Sequence, residues 1–228
     1  MIINKVKDHY LEIYKEALGV LLVGSHARGQ ARPDSDIDLC IIGYGSDFQR
    51  IEEDFQGQKV ELMVGPLSWY EEVLGGYEKA SNYPTISRML CEAIYWSQRN
   101  DRVDDLIQVA KVTYEEGPYP KGRDQLNQIK RRIKRTYGDL GTIDQAGPSK
   151  TWLQYKFVDT CIDALFLVRA WWFIKDRHLM TFIGQEAPDY GKLIEDFFLT
   201  WDNKFLGEIY SKLMLELEVL EKEDGYET

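Results

Sequence analysis

The sequence predicts an α+β fold: a small mixed sheet flanked by helices in the N-terminal half, followed by a C-terminal all-α helical bundle. Three observations carry this. Short apolar runs bounded by glycines alternate with helix-period stretches up to residue 118. The segment Gly117-Pro118-Tyr119-Pro120 removes backbone donors and disfavours helix, which marks a boundary between residues 1–118 and 119–228. Beyond it the pattern is helical throughout.

Taken in order, Val6, Tyr10, Ile13, Tyr14 and Ala17 recur at helical spacing, so residues 3–17 read as an amphipathic helix ended by Gly19. Val20-Leu21-Leu22-Val23 is all apolar and fits a central strand. The connection GSHARGQARPDSD has room for one short helix. Ile37, Leu39, Ile41 and Ile42 interleave with Asp36 and Asp38 as a second strand. Residues 48–58 fit either a short helix or the first arm of a hairpin turning at Gly57. Residues 59–64 read as a strand stopped by Gly65-Pro66. Helices follow at 69–74 and, after a Gly-Gly break, from Ile86 to Cys91; 93–97 reads as a last strand and 103–116 as a helix. In the second half the expected helices are about 122–139, 150–176, 188–199 and 202–223, with the loop 141–149 between the first two.

With 228 residues, 44% of them hydrophobic and 29% charged, the chain has an ordinary globular balance and enough length to bury a core. A net charge of -10 argues against long nucleic acid as a partner, because that binding needs Lys and Arg along a phosphate track. A small anion held by backbone amides and metal ions remains compatible with such a surface. Cys40, Cys91 and Cys161 are far apart, lack metal-ligand spacing and read as free thiols of a reducing compartment. With no signal-like N-terminus and no long apolar run, a soluble cytoplasmic protein without a membrane partner is expected.

The chemistry concentrates in residues 24–39. Strand side chains alternate faces, so Asp36 and Asp38 would present two carboxylates on one face, with Cα atoms roughly 6.5–7 Å apart. Two anions at that distance repel unless a cation lies between them, and magnesium favours one or two carboxylates completed by substrate phosphate oxygens. Upstream, Gly24-Ser25 follows directly on a strand. A glycine there lets the backbone approach a phosphate, and free amides at the next helix start can bind it. The P-loop alternative fails, because Gly29 is followed by Gln30-Ala31 and both the lysine and the hydroxyl are missing.

The ordered set GSHARGQARPDSDIDL closely resembles the nucleotidyltransferase superfamily that includes DNA polymerase beta and the aminoglycoside and lincosamide nucleotidyltransferases. The resemblance implies an N-terminal nucleotidyltransferase catalytic domain over 1–118 and a helical substrate-binding domain over 119–228. It implies a metal-dependent transferase with two Mg²⁺ ions and a nucleoside triphosphate, with transfer of AMP to a hydroxyl of a small, aminoglycoside-like acceptor as the expected reaction. Asp36 and Asp38 are then catalytic metal ligands, and Gly24, Ser25, Arg28 and Ser35 the nucleotide-binding set. A third carboxylate is implied on a neighbouring strand, and Glu61 in KVELMV is its candidate, as metal ligand or as base. Many relatives carry Asp there, and Glu reaches one methylene further. Lys59 shares the Glu61 face and is an expected ion-pair partner.

Other residues are weighed against ordinary structural roles. The run 130–135 reads as a solvated basic helix face, or else as a lining that draws in triphosphate. Trp152, Tyr155, Cys161, Ala164, Leu165, Val168 and Trp172 fit a bundle core by spacing. Asp159 and Asp163 share one helix face, either as exposed polar groups or as contacts for an acceptor's amino or hydroxyl groups. Glu92 is a further candidate base. The alternative acceptors are a protein partner, as for antitoxin-type members of the superfamily, or an RNA end.

Overall fold

A computed structural model describes residues 2–143 and 146–223. The chain divides into two compact units, Met1–Pro118 and Tyr119–Thr228.

The first unit is built on a five-stranded sheet. Its strands are β1 (Gly19–Val23), β2 (Ile37–Ile42), β3 (Gln49–Phe55), β4 (Gln58–Gly65) and β5 (Ile94–Tyr95), in the order β3-β4-β2-β1-β5. Only β2 and β4 pair in parallel, so the sheet is mixed. The apolar runs explain the middle positions: all five residues of β1 are buried, as are all of β2 except Asp38.

Each face of the sheet buries one alternate set of side chains. Val20, Leu22, Leu39, Ile41, Val60 and Leu62 pack with Val6 and Tyr10 of α1 (Ile2–Ile13). Leu21, Val23, Cys40, Ile42 and Met63 lie in a cluster with Leu67 and Tyr70 of α3 (Leu67–Glu72), Leu90 of α5 (Thr85–Cys91) and Val103 and Leu106 of α6 (Asp101–Glu116). The remaining helices of this unit are α2 (Gly24–Ala27) and α4 (Glu78–Ser81), with a π-helical turn at Val73–Tyr77 where the Gly-Gly break was expected.

Residues 48–58 adopt the hairpin, not the helix. Gln56 and Gly57 both have positive φ (56° and 85°), the conformation that a two-residue turn needs to match the twist of its strands. The Asp54 carboxylate secures it by accepting the Gly57 N–H at 2.8 Å.

Among the described residues, the regular structure of the second unit is all helical: α7 (Arg123–Leu140), α8 (Pro148–Val168), α9 (Asp176–Glu186), α10 (Pro188–Thr200) and α11 (Asn203–Glu223). Ile133, Phe157, Phe166, Phe197, Leu206, Ile209 and Leu213 form its core. Residues 144 and 145 of the expected loop lie outside the described residues.

Two expectations are corrected here. The helix expected to run to 176 stops at Val168, and α9 begins eight residues later. The stop is a Schellman closure: Ala170 takes the left-handed conformation (φ 49°), its N–H bonds to the Leu167 carbonyl, and the Trp171 N–H bonds back to the Phe166 carbonyl at 2.8 Å. The Phe166 and Trp171 rings meet edge to face at 5.5 Å, the apolar contact that accompanies this motif. The second correction concerns the assigned core, since Trp152 and Tyr155 are exposed (61% and 43%) and Trp172 lies beyond the end of α8.

Candidate active site

The site residues of the first unit gather where β1, β2 and β4 meet. In the β1–β2 register Val23 stands opposite Asp38, so the strand end that leads into Gly24 is held beside the carboxylate. On the other side Asp38 pairs in register with Glu61 of β4. Neighbouring strands lie about 4.8 Å apart, which sets the two acids side by side on one face. This is the face covered by α3, α5 and α6, and the acids occupy the positions at which the apolar row Leu21–Cys40–Met63 gives way to charge.

Gly24 explains itself by geometry. It has φ 70°, and a Cβ there would stand 1.9 Å from Asp38 Oδ2. The backbone therefore turns directly over the carboxylate, and only glycine permits both the conformation and the approach. Ser25 and His26 follow within α2, half-buried, and the His26 Nε2 is buried without a hydrogen-bond partner. Asp36 precedes β2, which starts one residue later than expected, and its side chain is exposed.

Two arginines divide the site between them. Arg28 caps the C-terminal end of α2 and is tied to Glu92 at 2.8 Å and to Gln30 at 3.2 Å. Glu92, at the end of α5, is thus engaged by a guanidinium. Glu61 is ion-paired with Arg50 of β3, so its partner is Arg50 and not the exposed Lys59. Glu61 raises the Arg50 pKa above its ordinary value, first through the hydrogen bond, and Glu52 and Asp38 add to the effect. Beneath the acids, burial pushes the Cys40 thiol up to about 12, with Asp38 and Glu61 contributing.

Ser35 shapes the approach to Asp36. Its hydroxyl accepts the Arg32 N–H at 2.9 Å, and its carbonyl accepts from Gln58 Nε2 at 3.0 Å, which ties the loop to the start of β4. Arg50 was not singled out in the sequence because 48–58 could be read two ways. Once the hairpin is fixed, period-2 alternation puts Arg50, Glu52, Glu61 and Met63 on one face.

Asp159 and Asp163 lie on α8 of the second unit. Lys156 holds Asp159 at 2.6 Å and Arg132 holds Asp163 at 3.1 Å, while burial raises the Asp163 pKa against the pull of Arg132. The basic run of α7 borders a hollow of about 350 Å³ lined by Arg123, Asn127, Lys130, Arg131, Lys134 and Glu221.

The donor chemistry of the acid face suits a hard divalent cation: Asp38 and Glu61 offer carboxylate oxygens side by side, and Asp36 stands at the strand entrance. Among the described residues, no group of three or more His, Cys, Asp or Glu side chains is arranged to hold a metal ion unaided. Magnesium, which is commonly held by one or two carboxylates with substrate oxygens and water, fits such a set.

Residues 3–83, all within the first unit, match the family model described as "Nucleotidyltransferase domain". Among solved structures, the chain is similar to a nucleotidyltransferase-like protein from Exiguobacterium sibiricum 255-15. The TM-score is 0.53 at 15% identity, over 95% of this chain and 73% of that one, and the likeness is one of fold. No curated protein matches the chain. Among the described residues, no helix is long and apolar enough to cross a membrane.

Proposed function

We propose that the chain is a metal-dependent nucleotidyltransferase that moves a nucleoside monophosphate, AMP by expectation, from a nucleoside triphosphate to a hydroxyl of a small acceptor such as an aminoglycoside-like compound. The observation that carries this reading is the packing of the Gly24 turn against Asp38 Oδ2, where a Cβ would stand at 1.9 Å. In this reading the Gly24 turn offers its backbone to phosphate and Asp38 its carboxylate to the metal, and both lie within the segment that matches the nucleotidyltransferase domain model.

In this reading the acceptor oxygen attacks the α-phosphorus in line, the bond from that phosphorus to the bridging oxygen breaks, and pyrophosphate leaves. Gly24 and Ser25 approach the β- and γ-phosphates from α2. Asp36, Asp38 and Glu61 would hold two Mg²⁺ ions, which would supply charge stabilisation to the reacting phosphate. The acceptor's proton passes to a carboxylate, with Glu61 the candidate base. Arg28, bound to Glu92, orders the end of α2 and reaches phosphate only by leaving that pair. Ser35 acts through the loop that presents Asp36. Asp159 and Asp163 are candidates for acceptor contacts on the second unit.

The experiment is a thermal-shift screen of the four nucleoside triphosphates with Mg²⁺, followed by an acceptor library scored for pyrophosphate. Stabilisation by a triphosphate and acceptor-dependent pyrophosphate are expected. If no triphosphate stabilises the protein and none is turned over, the reading is wrong. Protein or RNA-end acceptors enter the same assay as competing arms.

A further inference from the structure

The register across three strands lines up Glu52 of β3, Glu61 of β4 and Asp38 of β2 in one row. Strand spacing puts successive members about 4.8 Å apart, and like charges directly opposite one another are destabilising. The row therefore requires a positive charge even before any ligand arrives. Arg50 supplies it, since it stands two residues from Glu52 on the same face and is ion-paired through Nε to one oxygen of Glu61.

We infer that Arg50 is the resident counter-cation of this acid row and competes with the divalent ion for Glu61. This rests on the nucleotidyltransferase reading of the site, whose metal set includes Glu61. The two partners differ in freedom: the Glu61 side chain is 18% exposed, the Arg50 side chain 63%. Glu61 is thus largely held within the sheet, whereas Arg50 reaches in from solvent on a flexible stem and is mostly exposed. A pair with one partner so exposed is weak enough for a divalent ion to displace. The pairing thereby sets the divalent-ion concentration that the site requires.

The test is direct Mn²⁺ binding to the full-length, chelator-treated protein without nucleotide, followed by electron paramagnetic resonance. Arg50→Ala is expected to bind Mn²⁺ on the order of two- to fivefold more tightly than wild type, which is what losing a weak competing pair releases. Arg50→Lys, which keeps a cation, stays near wild type. In a Glu61→Gln background Arg50→Ala no longer tightens binding. Unchanged or weaker binding in Arg50→Ala overturns the inference, as does tightening that survives Glu61→Gln. If Arg50→Ala is silent while Asp38→Asn weakens Mn²⁺ binding, only the counter-cation role falls. If Asp38→Asn leaves Mn²⁺ binding unchanged, or wild type binds none, the metal-site reading falls with it.

Discussion

Gly24 is where backbone geometry and chemistry coincide. Its φ of 70° and the 1.9 Å approach of a hypothetical Cβ to Asp38 Oδ2 leave no room for a side chain. Gly24→Ala must therefore carry left-handed strain of about 1–2 kcal/mol and push the carboxylate aside as well. The expected result is a melting temperature lower by a few degrees and at least a tenfold loss of pyrophosphate release, read by calorimetry and a coupled assay. The alternation of Asp36 and Asp38 with buried isoleucines and leucines was legible in the sequence, and so was the Gly24-Ser25 turn. The ion pair at Glu61 was not, because the charged partner comes from a strand whose sequence, QRIEEDF, lacks an apolar alternation strong enough to exclude a helix.

Among the elements, α5 depends on a side chain from its neighbour. Glu78 of α4 is 2% exposed, and its carboxylate accepts the backbone N–H groups of Ile86 and Ser87, the latter at 3.0 Å. Glu78→Ala leaves buried donors unpaired, each at about 1–3 kcal/mol, and is expected to lower the unfolding free energy in urea accordingly. Burial nonetheless raises the Glu78 pKa above its ordinary value, despite these hydrogen bonds. In the window between the unfolded and the folded pKa the native state keeps a proton that the unfolded state has released, so this group's contribution to stability falls as pH rises. That slope, measured by urea titration from the ordinary carboxylate range upward, is expected in wild type and is expected to be shallower in Glu78→Ala, which keeps the like contribution of Asp163. The end of α8 offers the reverse case. Ala170 sits at φ 49° in a position that favours glycine, so Ala170→Gly is expected to raise the melting temperature by about 2–4 °C. This stop was illegible because the usual glycine signal is missing; the apolar pattern runs on through Trp171 and Trp172, and only the left-handed turn ends the helix.

At the scale of the whole molecule, the fold class was legible because buried strands alternate with helix-period segments before the Gly-Pro boundary and only helix-period segments follow it, and the chain divides into its two compact units between Pro118 and Tyr119. Each unit also carries its own internal reporter. Cys40 is fully buried in the first unit and Cys161 nearly so in the second, with its thiol pKa pushed up by burial, whereas Cys91 is only partly buried. Thiol labelling of the native protein at neutral pH is therefore expected to modify Cys91 first, with Cys40 and Cys161 reacting only on unfolding; rapid native labelling of either would contradict the packing described. The acceptor was not legible at this scale: the α8 acids are ion-paired with Lys156 and Arg132, and their spacing in the sequence names no acceptor chemistry. The central claim is that Asp38, under the Gly24 turn and beside Glu61, drives nucleotidyl transfer. It is tested most directly by pyrophosphate release from a nucleoside triphosphate with Mg²⁺ in wild type and Asp38→Asn. Loss of several kcal/mol of charge stabilisation predicts a drop of at least about a thousandfold in a variant that melts normally. Equal turnover by the two proteins would contradict the account.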